Sequence, residues 1–220
     1  MKIAVDGLAG SGKSTIARRI SEELKIPYLE TGLAYRAMGY ILSQEIKETE
    51  QVSWEDIEPF LSRLSIIPKV GKTEIRIEGE VIERELRSEE AGKFASLVGT
   101  VGRFREFINE VFRKLIGEGQ AVVEGRDAGT NIIPSAPVKL FITASPEERA
   151  RRRVEQLRNM GIEADYEEVL SKIRERDHRD MNRKDYPLKP AEDAIVVDTS
   201  GKSIEEVMKE VFSIINRIER

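Results

Sequence analysis

The stretch Gly7-Leu8-Ala9-Gly10-Ser11-Gly12-Lys13-Ser14 constrains this chain more than any other feature, because it fits the pattern GxxxxGK[ST]. Glycines let the backbone curl so that successive N–H groups converge on one anion. A helix starting at Lys13 would add its positive end. That chemistry requires a strand before the loop and a helix after it. The apolar run Lys2-Ile3-Ala4-Val5-Asp6 supplies the strand, and Ile16, Ala17, Ile20 and Leu24 recur at helical spacing behind the loop. Lys13 is suited to the β- and γ-phosphates of a nucleoside triphosphate, and the Ser14 hydroxyl to Mg²⁺. A glycine-rich turn with no ligand is the competing reading, and the flanking strand and helix argue against it.

The rest of the chain extends this opening into a three-layer α/β fold. Pro27–Glu30 reads as a second strand and Leu33–Leu42 as a helix. The rhythm then breaks. Ile66–Val70, a Gly71-Lys72 turn and Glu74–Glu78 alternate as an antiparallel hairpin, with a third short strand at Val81-Ile82. This segment is expected to form an inserted lobe outside the main sheet. Helices near Glu89–Leu97 and Phe104–Ile116 follow, then strands at Ala121–Glu124 and Val138–Ile142. A helix capped by Ser145 with Pro146 in its first turn comes next. Tyr166 to about Lys184 is a further helix, Ala194–Val197 a last strand and Ser203–Ile218 a closing helix. The 220 residues, 40% hydrophobic and 35% charged with a net charge of -4, suit one soluble globular domain without a global nucleic-acid or membrane partner. With no cysteine, disulfides, thiolate metal sites and cysteine nucleophiles are excluded. No long apolar run is present and the first strand begins at Lys2, so a cytoplasmic monomer is the default expectation.

The loop does not identify the reaction. GTPase motifs are missing, since Asn182-Arg183-Lys184-Asp185 carries its lysine one position late. Transfer between two anions needs positive charge, so arginines without a structural reason are informative. Glu147–Arg151 and Glu148–Arg152 have the spacing of solvated surface pairs. Arg149 and Arg153 lack such acids. They form either a solvated face or contacts to the triphosphate from a mobile lid. The stripe Tyr166, Val169, Leu170, Ile173 continues into Arg176, Asp177, Asp180, Arg183 and Lys184, either an exposed helix end or a phosphate-binding face. Glu124-Gly125-Arg126-Asp127-Ala128-Gly129-Thr130 follows a strand at its carboxyl end, where α/β folds place ligands, or is a turn capped by Asp127. His178 reads as a surface residue and Trp54 as core.

Four motifs, IAVDGLAGSGKST, YLETGLAYR (28–36), VVEGRDAGT (122–130) and IRERDHRDMNR (173–183), occur in order across nearly the whole chain. In these the sequence resembles the bacterial cytidylate kinases, nucleoside-monophosphate kinases that act in pyrimidine nucleotide metabolism. The resemblance implies a phosphate-loop NTPase fold with a core of about 1–30, 106–147 and 166–220. It also implies a monophosphate-binding lobe of about 31–105 bearing a small antiparallel sheet, and a lid of about 148–165. It implies transfer from ATP, with Mg²⁺ at Ser14, to CMP or dCMP. Gly7 to Thr15 then match the ATP phosphate site, with Arg149 and Arg153 as lid arginines. Thr31, Tyr35, Arg36, Ser96, Arg105, Asp127, Arg176, Asp180 and Arg183 match acceptor ligands. Lys13, Arg126, Arg153, Arg176 and Arg183 carry the transferring charge. Thr31 stands where serine is usual, and Glu124 where Asp is usual. Another acceptor such as UMP, AMP or shikimate, or a nucleotide-dependent switch, is the alternative. An acceptor that brings an ionised phosphate oxygen needs no catalytic base. A carboxylate such as Asp127 would favour the amino group of cytosine over the O4 of uracil.

Overall fold

The computed structural model describes residues 1–46 and 49–218. Residues 47–48 of the expected lobe and 219–220 at the expected end of the core lie outside the described residues. In chain order the strands are β1 (Lys2–Gly7), β2 (Pro27–Glu30), β3 (Leu64–Val70), β4 (Lys72–Ile77), β5 (Glu80–Val81), β6 (Ala121–Glu124), β7 (Val138–Thr143) and β8 (Ile195–Asp198). The helices are α1 (Lys13–Leu24), α2 (Thr31–Glu45), α3 (Trp54–Ile57), α4 (Glu89–Val98), α5 (Gly102–Ile116), α6 (Pro146–Asn159), α7 (Tyr166–Met181) and α8 (Ile204–Ile218). The chain divides into two compact units, residues 1–17 with 125–220 and residues 18–124.

In the first unit β1, β7 and β8 pair in parallel, Val5 opposite Leu140 and Leu140 opposite Ile195. Ile3, Ala4, Val5, Val138 and Ile142 are fully buried, as expected of strands covered on both faces. The amphipathic α8 buries Val207, Met208, Val211, Ile214 and Ile215 at helical spacing. Ser145 caps α6 by accepting from the Glu148 N–H at 3.1 Å, and Pro146 occupies its first turn.

In the second unit β2 pairs in parallel with β6, Leu29 opposite Val123. The hairpin expected outside the main sheet is instead joined to it: β3 pairs antiparallel with β2, Pro27 opposite Val70 and Tyr28 opposite Lys69. Thr73 on β4 reinforces the junction, donating to the Tyr28 carbonyl at 2.8 Å and accepting from the Glu30 N–H at 2.7 Å. Strand β2, helix α5 and strand β6, assigned to the core by sequence, therefore share a compact unit with the hairpin. Gly39 lets α2 and α4 meet closely, since a Cβ there would lie 2.5 Å from the Ala95 nitrogen and 2.6 Å from the Ala91 carbonyl oxygen.

Candidate active site

In the first unit the Gly7–Ser14 loop links β1 to α1 in the strand–loop–helix context that an anion cradle needs. Gly10 and Gly12 have φ of 76° and 92°, which lets the backbone curl. Gly7 is required for a different reason: a Cβ there would sit 2.0 Å from the Ile142 carbonyl oxygen of β7. Lys13 is buried, its Nζ 3.5 Å from the Leu8 carbonyl oxygen.

If the loop N–H groups are to converge on an anion, its carbonyls need partners elsewhere. The Leu8 carbonyl accepts from the Ser11 hydroxyl at 2.9 Å, and the Ser11 carbonyl from the Thr199 hydroxyl at 3.0 Å. Arg152 on α6 donates to that Thr199 hydroxyl at 2.9 Å and to the Thr199 carbonyl at 2.6 Å. The Ala9 carbonyl accepts from Arg149 Nη1 at 3.2 Å.

Arg149 is 1% exposed. Its Nε donates to the Ala144 carbonyl at 3.0 Å, and its Nη1 and Nη2 reach Asp177 of α7 at 3.0 and 2.5 Å. It is thus not a solvated residue: its donors are directed at backbone carbonyls and a carboxylate. Arg153, exposed on the same helix, donates to Gln156 at 2.9 Å. The pair Glu147–Arg151 expected from spacing is replaced by one between helices, in which Arg174 of α7 donates to Glu147 at 2.8 Å. Glu148 keeps Arg152 at 3.2 Å and also meets Arg151 at 3.5 Å.

After β6 the chain forms a π-helical turn, Ala128–Ile132. Its first two N–H groups, Ala128 and Gly129, donate to the buried Asp6 carboxylate at 2.8 and 2.7 Å. Asp127 precedes this turn without capping it through its side chain. Its buried carboxylate instead accepts from Asn131 at 3.3 Å. Beside it in sequence, Arg126 donates to Asp180 at 3.1 Å, and Arg183 and Arg176 approach the same carboxylate at 3.9 Å each. Burial alone would raise the Asp180 carboxyl, but the charges of Arg126, Arg183 and Arg176 hold it below its ordinary value. Three guanidinium groups thus converge on one ionised carboxylate. The polar stripe on α7 therefore carries ion pairs, with Asp177 and Asp180 each largely sheltered against arginines from elsewhere in the unit.

In the second unit Thr31 opens α2, buried, its hydroxyl donating to the Glu124 carbonyl at 2.9 Å. One turn on, the Tyr35 ring meets Phe104 edge-on at 5.5 Å, and the Arg105 guanidinium lies 5.3 Å from its centroid. Arg36 donates to the Leu86 carbonyl at 2.8 Å, and Ser96 on α4 is exposed and donates to the Gly92 carbonyl at 3.2 Å. Glu124 is buried and lies 3.4 Å from the Tyr28 hydroxyl. Thus Arg126, Asp127, Arg176, Asp180 and Arg183 belong to the first unit with the phosphate loop. Thr31, Tyr35, Arg36, Ser96 and Arg105 belong to the second.

Sequence reasoning assigned no role to Asp6, Asn131 or Thr199. Asp6 adjoins the loop, and Thr199 follows the last strand. The partners of Asp6 and Thr199 are remote in the chain, so only the strand order signals them, whereas Asn131 meets Asp127 one turn away. His178 is exposed as expected, whereas Trp54 is only half buried under Arg103, 4.5 Å from its ring centroid.

The cytidylate kinase family model matches residues 3–217. A cytidylate kinase of Aquifex aeolicus (strain VF5) is 57% identical over 98% of this chain and 96% of its own length. One from Fervidobacterium nodosum is 44% identical over 97% and 95%. Among solved structures, an uncharacterized protein from Eubacterium ventriosum aligns over 99% of this chain and 98% of its own with a TM-score of 0.52 and 15% identity, a likeness of fold alone. No described helix is long and apolar enough to cross a membrane.

Proposed function

The chain belongs to the cytidylate kinase family and transfers the γ-phosphoryl group of ATP to CMP or dCMP, and we propose that it does so with the residues described above. The observation that carries this assignment is the cluster of Arg126, Arg176 and Arg183 around Asp180, in the same unit as the phosphate loop. A donor loop by itself serves a switch or a hydrolase. Guanidinium groups brought together from separate parts of the chain suit a second phosphate.

Residues Gly7 to Thr15 bind the ATP phosphates through their N–H groups and Lys13. Arg153 reaches the triphosphate from α6, and Arg149 supports the same site from behind the loop. Arg36, Arg126, Arg176 and Arg183 hold the acceptor phosphate, Asp180 the sugar, and Thr31 and Tyr35 the body of the nucleotide. Ser96, Arg105 and Asp127 read the cytosine ring, Asp127 accepting from its amino group. The acceptor phosphate oxygen is already ionised, so the protein positions two anions and neutralises charge rather than moving a proton. Mg²⁺ fits the donor chemistry of the Ser14 hydroxyl, a hard oxygen in the first turn of α1 beside Lys13. When bound, it offsets charge on the phosphate oxygens. The protein works in the cytoplasm as a monomer without a nucleic-acid partner.

A coupled ADP-release assay across CMP, dCMP, UMP and AMP tests this reading. Turnover is expected with CMP or dCMP and to be about five- to a hundredfold weaker with UMP, as about 1–3 kcal/mol of unmet hydrogen bonding implies. Equal turnover of UMP would remove the role given to Asp127. Slow ATP hydrolysis that no monophosphate stimulates would favour a switch instead.

A further inference from the structure

We propose that Asp177 is a positioning residue for the donor site, acting through Arg149 on the outer side of the phosphate loop. The loop can present N–H groups to phosphate only while its carbonyls point away and are satisfied there. The Ala9 carbonyl is satisfied by Arg149 Nη1 at 3.2 Å. Arg149 is 1% exposed, and a guanidinium so buried keeps its place only with a compensating anion and well-aimed acceptors. The Ala144 carbonyl takes Nε at 3.0 Å, and the Asp177 carboxylate takes Nη1 and Nη2 at 3.0 and 2.5 Å in the bidentate geometry that fixes both planes. Asp177 thereby sets the direction in which Nη1 points, and Nη1 holds Ala9. Of the acids on this face of α7, Asp180 is held by Arg126, Arg176 and Arg183, whereas Asp177 is directed at the donor loop.

The proposal rests on the reading that Gly7–Ser14 carries ATP. Its test is steady-state kinetics of Asp177→Asn, which keeps the shape of the side chain and removes its charge. Asp177→Glu and Arg149→Lys, which retain charge but not the same fork, are run beside it on folded protein. For Asp177→Asn, KM for ATP is expected to rise about tenfold or more, with kcat and KM for CMP each within about threefold. Asp177→Glu should fall between it and the parent. The double variant Asp177→Asn/Arg149→Lys should be no worse for ATP than the poorer single variant, because both remove one contact. A role confined to stability would lower the melting temperature and the yield of active enzyme while leaving both KM values in place. That pattern, or additive losses in the double variant, would overturn the proposal. Equilibrium binding of a non-hydrolysable ATP analogue separates the two levels. If the parent enzyme does not bind it, the donor-loop reading fails. Undiminished binding to Asp177→Asn fails the positioning role alone.

Discussion

Asp127 and Asp180 are both sheltered carboxylates of the first unit, yet their surroundings give them different work. Asp127 is 4% exposed and accepts from Asn131, in a turn whose backbone is held by Asp6. A carboxylate so fixed suits the proposed selection by hydrogen bonding. Asp127→Ala should therefore lower kcat/KM for CMP by about five- to a hundredfold, from about 1–3 kcal/mol of lost or unmet hydrogen bonding. KM for ATP should stay within about threefold; an equal loss for ATP would count against the assignment. Asp180 is governed by charge. Burial opposes its ionisation, and Arg126, Arg183 and Arg176 outweigh burial, so its folded-state pKa lies below the unfolded value. A depressed carboxylate contributes stability above its unfolded pKa and loses it as pH falls through the folded one. Thermal melts from pH 7 down to pH 3 should show the parent losing stability below the ordinary aspartate range more steeply than Asp180→Asn. Parallel curves would contradict that. The anomaly of charge on the α7 stripe was legible from spacing. Its resolution was not, because the partners Arg126 and Arg149 stand 54 and 28 residues away.

At the scale of elements, the close contact of α2 with α4 would position part of the proposed acceptor set, because Thr31, Tyr35 and Arg36 ride on α2 and Ser96 on α4. Gly39 makes that contact possible. Gly39→Ala would drive a methyl to 2.5 Å from the Ala95 nitrogen, where backbone and not a flexible side chain must yield. We expect a loss of about 1–3 kcal/mol in chemical denaturation, the usual cost of overpacking. KM for CMP should rise while KM for ATP holds. Unaltered stability would mean the helices separate at little cost. Local pattern made most elements readable: the phosphate loop, the α6 cap and the amphipathic α8 are each encoded within a few turns of chain. The attachment of the hairpin to β2 was not readable, since alternation in Ile66–Glu78 specifies strands but not which edge receives them. Among the described residues two pairs, Pro27–Val70 and Tyr28–Lys69, register β3 on β2, with Thr73 of β4 bonding the same strand. The short helix α3 and the π-helical turn at Ala128–Ile132 were also missed, being fixed by a capping box at Ser53 and by Asp6 rather than by apolar periodicity.

For the molecule as a whole, the proposed ligand residues lie in both compact units, and each substrate should stabilise the fold through its own proposed set. A ligand that binds only the native state at a hundred times its Kd adds about 2.7 kcal/mol. For a chain of this length that corresponds to a melting shift of about 5–10 °C. Lys13 belongs to the first unit and Arg36 to the second. Lys13→Ala should lose most of the shift given by an ATP analogue and retain that given by CMP. Arg36→Ala should do the reverse, because its guanidinium is read as an acceptor-phosphate ligand. Without ligand, each variant sets its own melting baseline, and loss of the 3.5 Å approach of Lys13 Nζ to the Leu8 carbonyl oxygen enters that of Lys13→Ala. Arg36→Ala should melt lower, because it also gives up the 2.8 Å bond to the Leu86 carbonyl. The decisive comparison is therefore the ligand-induced shift within each variant. If Arg36→Ala kept the full CMP shift, Arg36 would be only a brace between α2 and the Leu86 segment, and the acceptor phosphate would have to be held by other residues.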